Sequence, residues 1–169
     1  MLEVAVVDAP VGPLTIAAHD GRLCALWFGA RADVEQMLSR WYPDEAVHTA
    51  ADPAGAVTAL AAYFSGALGA LDGVPIELNG TAFQRRVWER LRSVRAGTTA
   101  SYREIACSIG APAAVRAVGA ANGSNPVALV VPCHRVIGSN GKLTGYGGGL
   151  DRKRWLLTHE DPGQLKEAD

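Results

Sequence analysis

The chain predicts an α+β protein in two parts, a small antiparallel-sheet domain at the N-terminus and a mostly helical C-terminal domain containing a helix-turn-helix. Three observations lead there. Short extended segments separated by turn residues fill the first 29 residues, capped amphipathic helical patterns dominate after residue 80, and the charge reverses between the two stretches. Residues 1–80 hold 3 Arg and no Lys against 10 Asp and Glu, a balance of −7; residues 81–169 hold 13 Lys and Arg against 7 acidic residues, a balance of +6. A basic second half beside an acidic first half points to an anionic partner, or to halves that attract each other. With 169 residues, 49% of them hydrophobic, the chain can bury a substantial core.

Leu2–Val7, Leu14–Ala18 and Leu23–Phe28 read as strands. They are broken at Asp8-Ala9-Pro10, at Gly12-Pro13 and at His19-Asp20-Gly21, the last a hairpin signal. Helices are expected over Ala32–Trp41 and Ala54–Leu68, the second carrying Val57, Leu60, Ala61 and Phe64 on one face. Asp72-Gly73-Val74-Pro75 and Asn79-Gly80 punctuate a linker, so the domains are expected to be residues 1–79 and 80–169. Thr81-Ala82-Phe83-Gln84 has capping-box spacing and opens a helix with Phe83, Val87 and Leu91 on one face and Trp88 beside them. Ser101-Tyr102-Arg103-Glu104 is a second capping box, opening a helix that stops at Gly110; the next helix takes Pro112 in its first turn and runs to Asn122. That helix, Pro112-Ala113-Ala114-Val115-Arg116-Ala117-Val118-Gly119-Ala120-Ala121-Asn122, carries one Arg among small residues. It is too poor in Arg, Asn and Gln to read base edges, yet its small side chains allow close approach to a neighbouring helix or to a nucleic-acid groove.

Several classes are excluded by composition. The apolar runs are too short for a membrane span, and the Met1-Leu2-Glu3-Val4 start lacks a signal peptide's basic and apolar regions, so a cytoplasmic protein without membrane partners is expected. Three cysteines, Cys24, Cys107 and Cys133, include no C-x-x-C pair, which argues against disulfides and thiolate zinc; no metal and no cofactor are expected. Thr144-Gly145-Tyr146-Gly147-Gly148-Gly149 lacks both common nucleotide-loop patterns and could be a plain flexible loop or one presenting backbone N–H groups to a ligand.

The chemistry concentrates at Val130-Val131-Pro132-Cys133-His134-Arg135-Val136. An apolar run, Val127 to Val131, should deliver Cys133 as a buried strand or extended segment, while Cys24 and Cys107 read as core. A thiol beside a histidine is a nucleophile candidate. Side chains of extended neighbours diverge, so Cys133 and His134 are expected to communicate through a water or a turn, and Glu160, at the end of a helical stretch, is a candidate to orient the imidazole. A structural or metal-ligand role for Cys133, and a thiol hydrolase or acyltransferase, stay open on these residues alone.

"SYREIA", the Arg and small residues of "PAAVRAVGAAN", "NPVALVVPCHRVI", "GYGGG" and "WLLTHE" together resemble the O6-alkylguanine-DNA alkyltransferases, in that family's order across about residues 81–160. The N-terminal half is similar only in pattern; the resemblance makes it a ribonuclease H-like α/β domain and makes residues 80–169 the helix-turn-helix DNA-binding and alkyl-acceptor domain. The implied activity is that of a methylated-DNA–protein-cysteine methyltransferase acting once per molecule. It would take alkyl groups from O6 of guanine, and from O4 of thymine, in double-stranded DNA. By the resemblance, Cys133 is the alkyl acceptor, His134 its base through a water, Glu160 the imidazole's partner, Asn125 the brace under the site, and Tyr102 the donor to guanine N3. Cys133 would therefore sit below the ordinary thiol pKa. Tyr146, Gly147 and Gly148 would form the pocket wall, and the carbonyls of Cys133 and Val136 would take the guanine amino group. Arg116 would fill the space of a flipped nucleotide, with Ala114, Ala117 and Gly119 against the minor groove; Val115 is larger than the residue the family often carries there. The implied protein is a monomer, with clustering on DNA left open. A non-enzymatic alkylated-DNA binder of the same fold is disfavoured by the presence of Cys133.

Overall fold

The computed structural model describes residues 1–161. The chain divides into two compact units, Met1–Asn79 and a second beginning at Gly80. In the first, β1 (Leu2–Val7), β2 (Leu14–His19) and β3 (Arg22–Trp27) pair antiparallel in sequence order. The β2–β3 hairpin turns on Asp20 and Gly21, both at positive φ (45° and 78°), the backbone that a tight primed turn needs to match strand twist. Helix α1 (Arg31–Trp41) sets Val34 and Leu38 into a core with Leu2, Val4, Ala17, Cys24 and Ala25. A fourth strand, β4 (Val47–Thr49), lies parallel to β1 and completes the order β3-β2-β1-β4. It is three residues long and none of its side chains is buried, so no apolar alternation marks it in the sequence.

Helix α2 (Ala56–Phe64) starts later than Ala54, because Ala54 and Gly55 take positive φ in the short Pro53–Gly55 turn. Asp52 reaches over that turn and accepts from the amides of Val57 (2.7 Å) and Thr58 (3.3 Å) and from Thr58 Oγ1 (2.6 Å), which supplies the missing cap. The helix consequently buries Ala56, Leu60 and Tyr63; of the expected face only Leu60 is buried.

In the second unit α3 (Ala82–Leu91) opens with both halves of its capping box made, Gln84 N to Thr81 Oγ1 and Thr81 N to Gln84 Oε1. Such a cap contributes about 1 kcal/mol. After β5 (Ala100–Ser101), α4 (Tyr102–Ser108) opens on the Ser101–Glu104 box and closes with Gly110 at φ 75°. There Gly110 N bonds Cys107 O and Ala111 N bonds Ala106 O, the paired bonds of a glycine-terminated helix. Helix α5 (Val115–Gly123) follows; Pro112 lies in the turn before it and Ala114 is its cap residue, three positions into the helix expected. Trp88 donates its indole N–H to Ala121 O (2.7 Å), tying α3 to α5. A two-residue strand, β6 (Val136–Ile137), pairs parallel with β5, and α6 (Leu150–Glu160) ends the described chain. Cys107 is exposed on α4 rather than in the core, whereas Cys24 is buried as expected. Among the described residues no helix is long and apolar enough to cross a membrane, and no group of three or more His, Cys, Asp or Glu could hold a metal ion.

Candidate active site

Val127 to Val131 are all buried, but they do not form a strand. The segment folds back on itself: Val131 N bonds Val127 O, Val130 N bonds Ala128 O, and Leu129 is forced to φ 71°, a conformation unfavourable for a side chain of its size. Asn125 holds both ends of this fold, donating Nδ2 to Val131 O (2.8 Å) while Oδ1 accepts from Val127 N (2.9 Å). The backbone polar groups a strand would give to neighbours are thereby satisfied locally. The fold-back delivers Pro132 and then a single 3₁₀ turn, Cys133–Arg135, in which successive side chains point about 120° apart. Cys133 and His134 therefore diverge, and each meets a different set of partners.

His134 is fully buried and its Nε2 lies 3.0 and 3.1 Å from the two carboxylate oxygens of Glu160. Arg135 binds the same carboxylate through Nε (2.9 Å) and Nη2 (2.7 Å) and donates Nη1 to Val94 O (2.7 Å). Burial alone would raise the Glu160 pKa, but hydrogen bonds from Arg135 and then His134 hold it well below the usual carboxylate range. An ionised Glu160 requires Nε2 to carry the imidazole proton, so in the neutral ring Nδ1 is bare. Nδ1 is buried and has no protein partner among the described residues. Burial pushes the His134 pKa down, which outweighs the Glu160 charge and keeps the ring neutral and basic at Nδ1.

Burial likewise pushes the Cys133 thiol up, against hydrogen bonding from Asn125, the charge on Lys153 and hydrogen bonding from Tyr146. This corrects the expectation of a thiol held below the ordinary range: at rest the site pairs a protonated thiol with a neutral imidazole, because desolvation acts on both. Lys153 was not anticipated. It is fully buried, donates Nζ to Val136 O (2.6 Å) and Thr144 O (3.1 Å), and is pushed down to about 8 by desolvation. Its signal was a lysine inside the buried stripe Lys153, Leu156, Leu157 and Glu160 of α6, where the helical repeat demands an apolar or partnered group. The Cys133 carbonyl already accepts from Val136 N and from Asn122 Nδ2 (3.4 Å), and Lys153 takes a lone pair of the Val136 carbonyl.

Comparison with known proteins matches the ribonuclease-like domain of 6-O-methylguanine DNA methyltransferase over residues 3–78 and that family's DNA-binding domain over residues 82–162. The methylated-DNA–protein-cysteine methyltransferase of Mycobacterium bovis is 50% identical over 163 residues, covering 95% of this chain and 93% of the relative. The chain belongs to the 6-O-methylguanine DNA methyltransferase family. The Salmonella typhimurium methylated-DNA–protein-cysteine methyltransferase is 46% identical over 158 residues, 91% of this chain and 92% of that protein. Among solved structures, Mycobacterium tuberculosis OGT in complex with DNA superposes with a TM-score of 0.77 at 46% identity, covering 99% of each chain.

Against that family background, the remaining expected residues divide by exposure. On α5, Arg116 and Ala117 are exposed, Ala114 and Val115 are half-buried, and Gly119 faces the ring of Tyr102, where an added Cβ would stand 3.9 Å from it. Tyr102 is the first residue of α4 and its hydroxyl lies 3.2 Å from Thr144 Oγ1, on the segment between β6 and α6. In that segment Tyr146 is half-buried, Gly147 exposed and Gly148 buried, with Gly149 N bonded back to Tyr146 O. Arg86 and Arg90 of α3 donate to Ile109 O and Ser108 Oγ at the end of α4, where cations complement the helix dipole.

Proposed function

We propose that this chain is a DNA-repair methyltransferase that takes the alkyl group from O6 of guanine, and from O4 of thymine, onto Sγ of its own Cys133 in one irreversible step. The observation that carries the reading is the buried series Arg135, Glu160, His134, which ends in a bare imidazole nitrogen on the residue next to a buried thiol. His134 Nδ1 takes the thiol proton through a water, and Glu160 stabilises the imidazolium that results. Sγ then attacks the alkyl carbon as the C–O6 bond breaks. The bonding pair leaves on the purine, and a proton from the Tyr102 hydroxyl meets it at N3. Lys153 and the Asn125 amide favour the thiolate at the moment it forms, since both already pull the Cys133 pKa down. The product is a thioether, which has no good leaving group, so one molecule performs one transfer.

Because the reacting carbon is stacked inside a duplex, the nucleotide must be extruded. Exposed Arg116, on a helix whose outer face is otherwise small, is suited to fill the gap while α5 lies in the minor groove. Mass spectrometry after incubation with O6-methylguanine DNA should find one methyl group per chain, on the peptide containing Cys133. Many turnovers per molecule, or a label on Cys24 or Cys107, would overturn the reading. Arg116→Ala should slow transfer from duplex DNA more than from the free base O6-benzylguanine, which needs no extrusion; equal slowing would remove Arg116 from that role.

A further inference from the structure

We infer that Thr144 is a positioning residue that aims the Tyr102 hydroxyl proton at the purine; this deepens the alkyl-transfer reading and rests on it. Thr144 Oγ1 donates to the Tyr102 oxygen across 3.2 Å. A phenol carries one proton, held near the plane of its ring, so it can point to only two sides of the oxygen. A donor on one side leaves the proton to the other. The ring itself has little freedom, since Tyr102 begins α4 directly after the Ser101 cap and lies against Gly119 of α5. What stays undetermined by those contacts is the hydroxyl rotor, and Thr144 sets it.

Thr144 can do this because its own backbone is anchored. The Thr144 carbonyl accepts from Lys153 Nζ (3.1 Å), which also holds Val136 O (2.6 Å) just beyond the Cys133–Arg135 turn. One buried cation therefore ties the reacting turn to the segment that carries Thr144. As the C–O6 bond breaks and the Tyr102 proton moves toward N3, negative charge develops on the phenol oxygen. The bond from Thr144 then becomes charge-assisted and strengthens, so it favours the transition state over the ground state.

The test compares single-turnover transfer from O6-methylguanine duplex DNA in wild type, Thr144→Val, Thr144→Ser, Tyr102→Phe and the Thr144→Val, Tyr102→Phe double variant, with carbamidomethylation of Cys133 by iodoacetamide as a second reaction. Thr144→Val should slow DNA transfer about fivefold, the worth of one ordinary hydrogen bond, and Thr144→Ser should restore it. In the Tyr102→Phe background Thr144→Val should add nothing, because the two act as one unit. Iodoacetamide leaves no purine to protonate, so its rate in Thr144→Val should match wild type. Independent slowing in both Tyr102 backgrounds, no slowing in either, or equal slowing with iodoacetamide would overturn the assignment while leaving alkyl transfer in place. A wild-type chain that does not alkylate Cys133 from the DNA would overturn both.

Discussion

Two histidines in this molecule each face glutamate, and their pKa values move in opposite directions. His19, in the N-terminal unit, holds Glu77 through Nδ1 (3.0 Å) and Glu45 through Nε2 (2.8 Å), with Tyr42 donating to Glu77 and Asn79 to Tyr42. Its side chain keeps 18% of its surface exposed, and the Glu77 bond raises its pKa despite partial desolvation. His134, in the C-terminal unit, has one glutamate, no exposed surface and two cations nearby, Arg135 and Lys153, and its pKa is lowered. The lesson is that a carboxylate neighbour does not by itself make an imidazolium. Where the ring keeps some exposure and meets two anions, protonation is favoured; where it is fully buried and its glutamate is already held by arginine, the neutral ring is favoured.

The sharpest way to break the contrast is Glu160→Gln. It replaces one of the two oxygens shared by His134 and Arg135 with an amide NH2 and leaves the guanidinium buried without its counter-charge, which should cost about 3 kcal/mol. Urea unfolding of the free protein should show that loss. Transfer to Cys133 should fall with it, and an unchanged unfolding midpoint would mean that Arg135 finds another anion. His134→Gln comes next: it keeps a polar group of similar size but no base, and should slow Cys133 alkylation by O6-benzylguanine about 100-fold at neutral pH. A near wild-type rate in the folded variant would show that the thiol loses its proton by another route.

A smaller effect distinguishes the two histidines by pH. His19 has a folded pKa above the ordinary histidine value of 6.5, so its contribution to stability is complete below about pH 6.5 and is lost as pH rises through the folded value. His134 has a folded pKa below 6.5, so its contribution is complete above about pH 6.5 and is lost as pH falls toward the folded value. Unfolding free energy measured from pH 5 to pH 9 should therefore flatten on the alkaline side in His19→Gln and on the acid side in His134→Gln. Flattening on the same side in both would contradict the opposed shifts. The smallest expected effect is that of His19→Gln at neutral pH, under about 1 kcal/mol because its partners are partly solvated, with alkyl transfer to Cys133 unchanged.

Much of this architecture is legible within a few residues of chain. Thr81 with Gln84 and Ser101 with Glu104 form caps because each reaches only three positions along its own helix, and Asp20-Gly21 turns a hairpin because glycine and aspartate tolerate positive φ there. The pairing of His134 with Glu160 was legible for a different reason: a histidine beside a thiol calls for an orienting group, Glu160 closes the last helical stretch, and the resemblance of the motif around Cys133 to a known family points to the same residue. The edge strand Val47–Thr49 was invisible, since its pairing with β1 needs no apolar pattern of its own. The rotation of α2 was also hidden, because Asp52 caps it across five and six residues rather than three.

By itself, then, the sequence determined where the two capping-box helices begin, where the hairpin turns, and which cysteine stands beside a histidine, all consequences of chemistry between near neighbours. Tertiary structure decided the protonation of the site. Whether Cys133 rests as thiol or thiolate depends on how completely it is buried, on the Asn125 and Tyr146 side chains that reach it, and on Lys153 being drawn into the interior. Desolvation is a property of everything packed around a group, and no short stretch of sequence contains it.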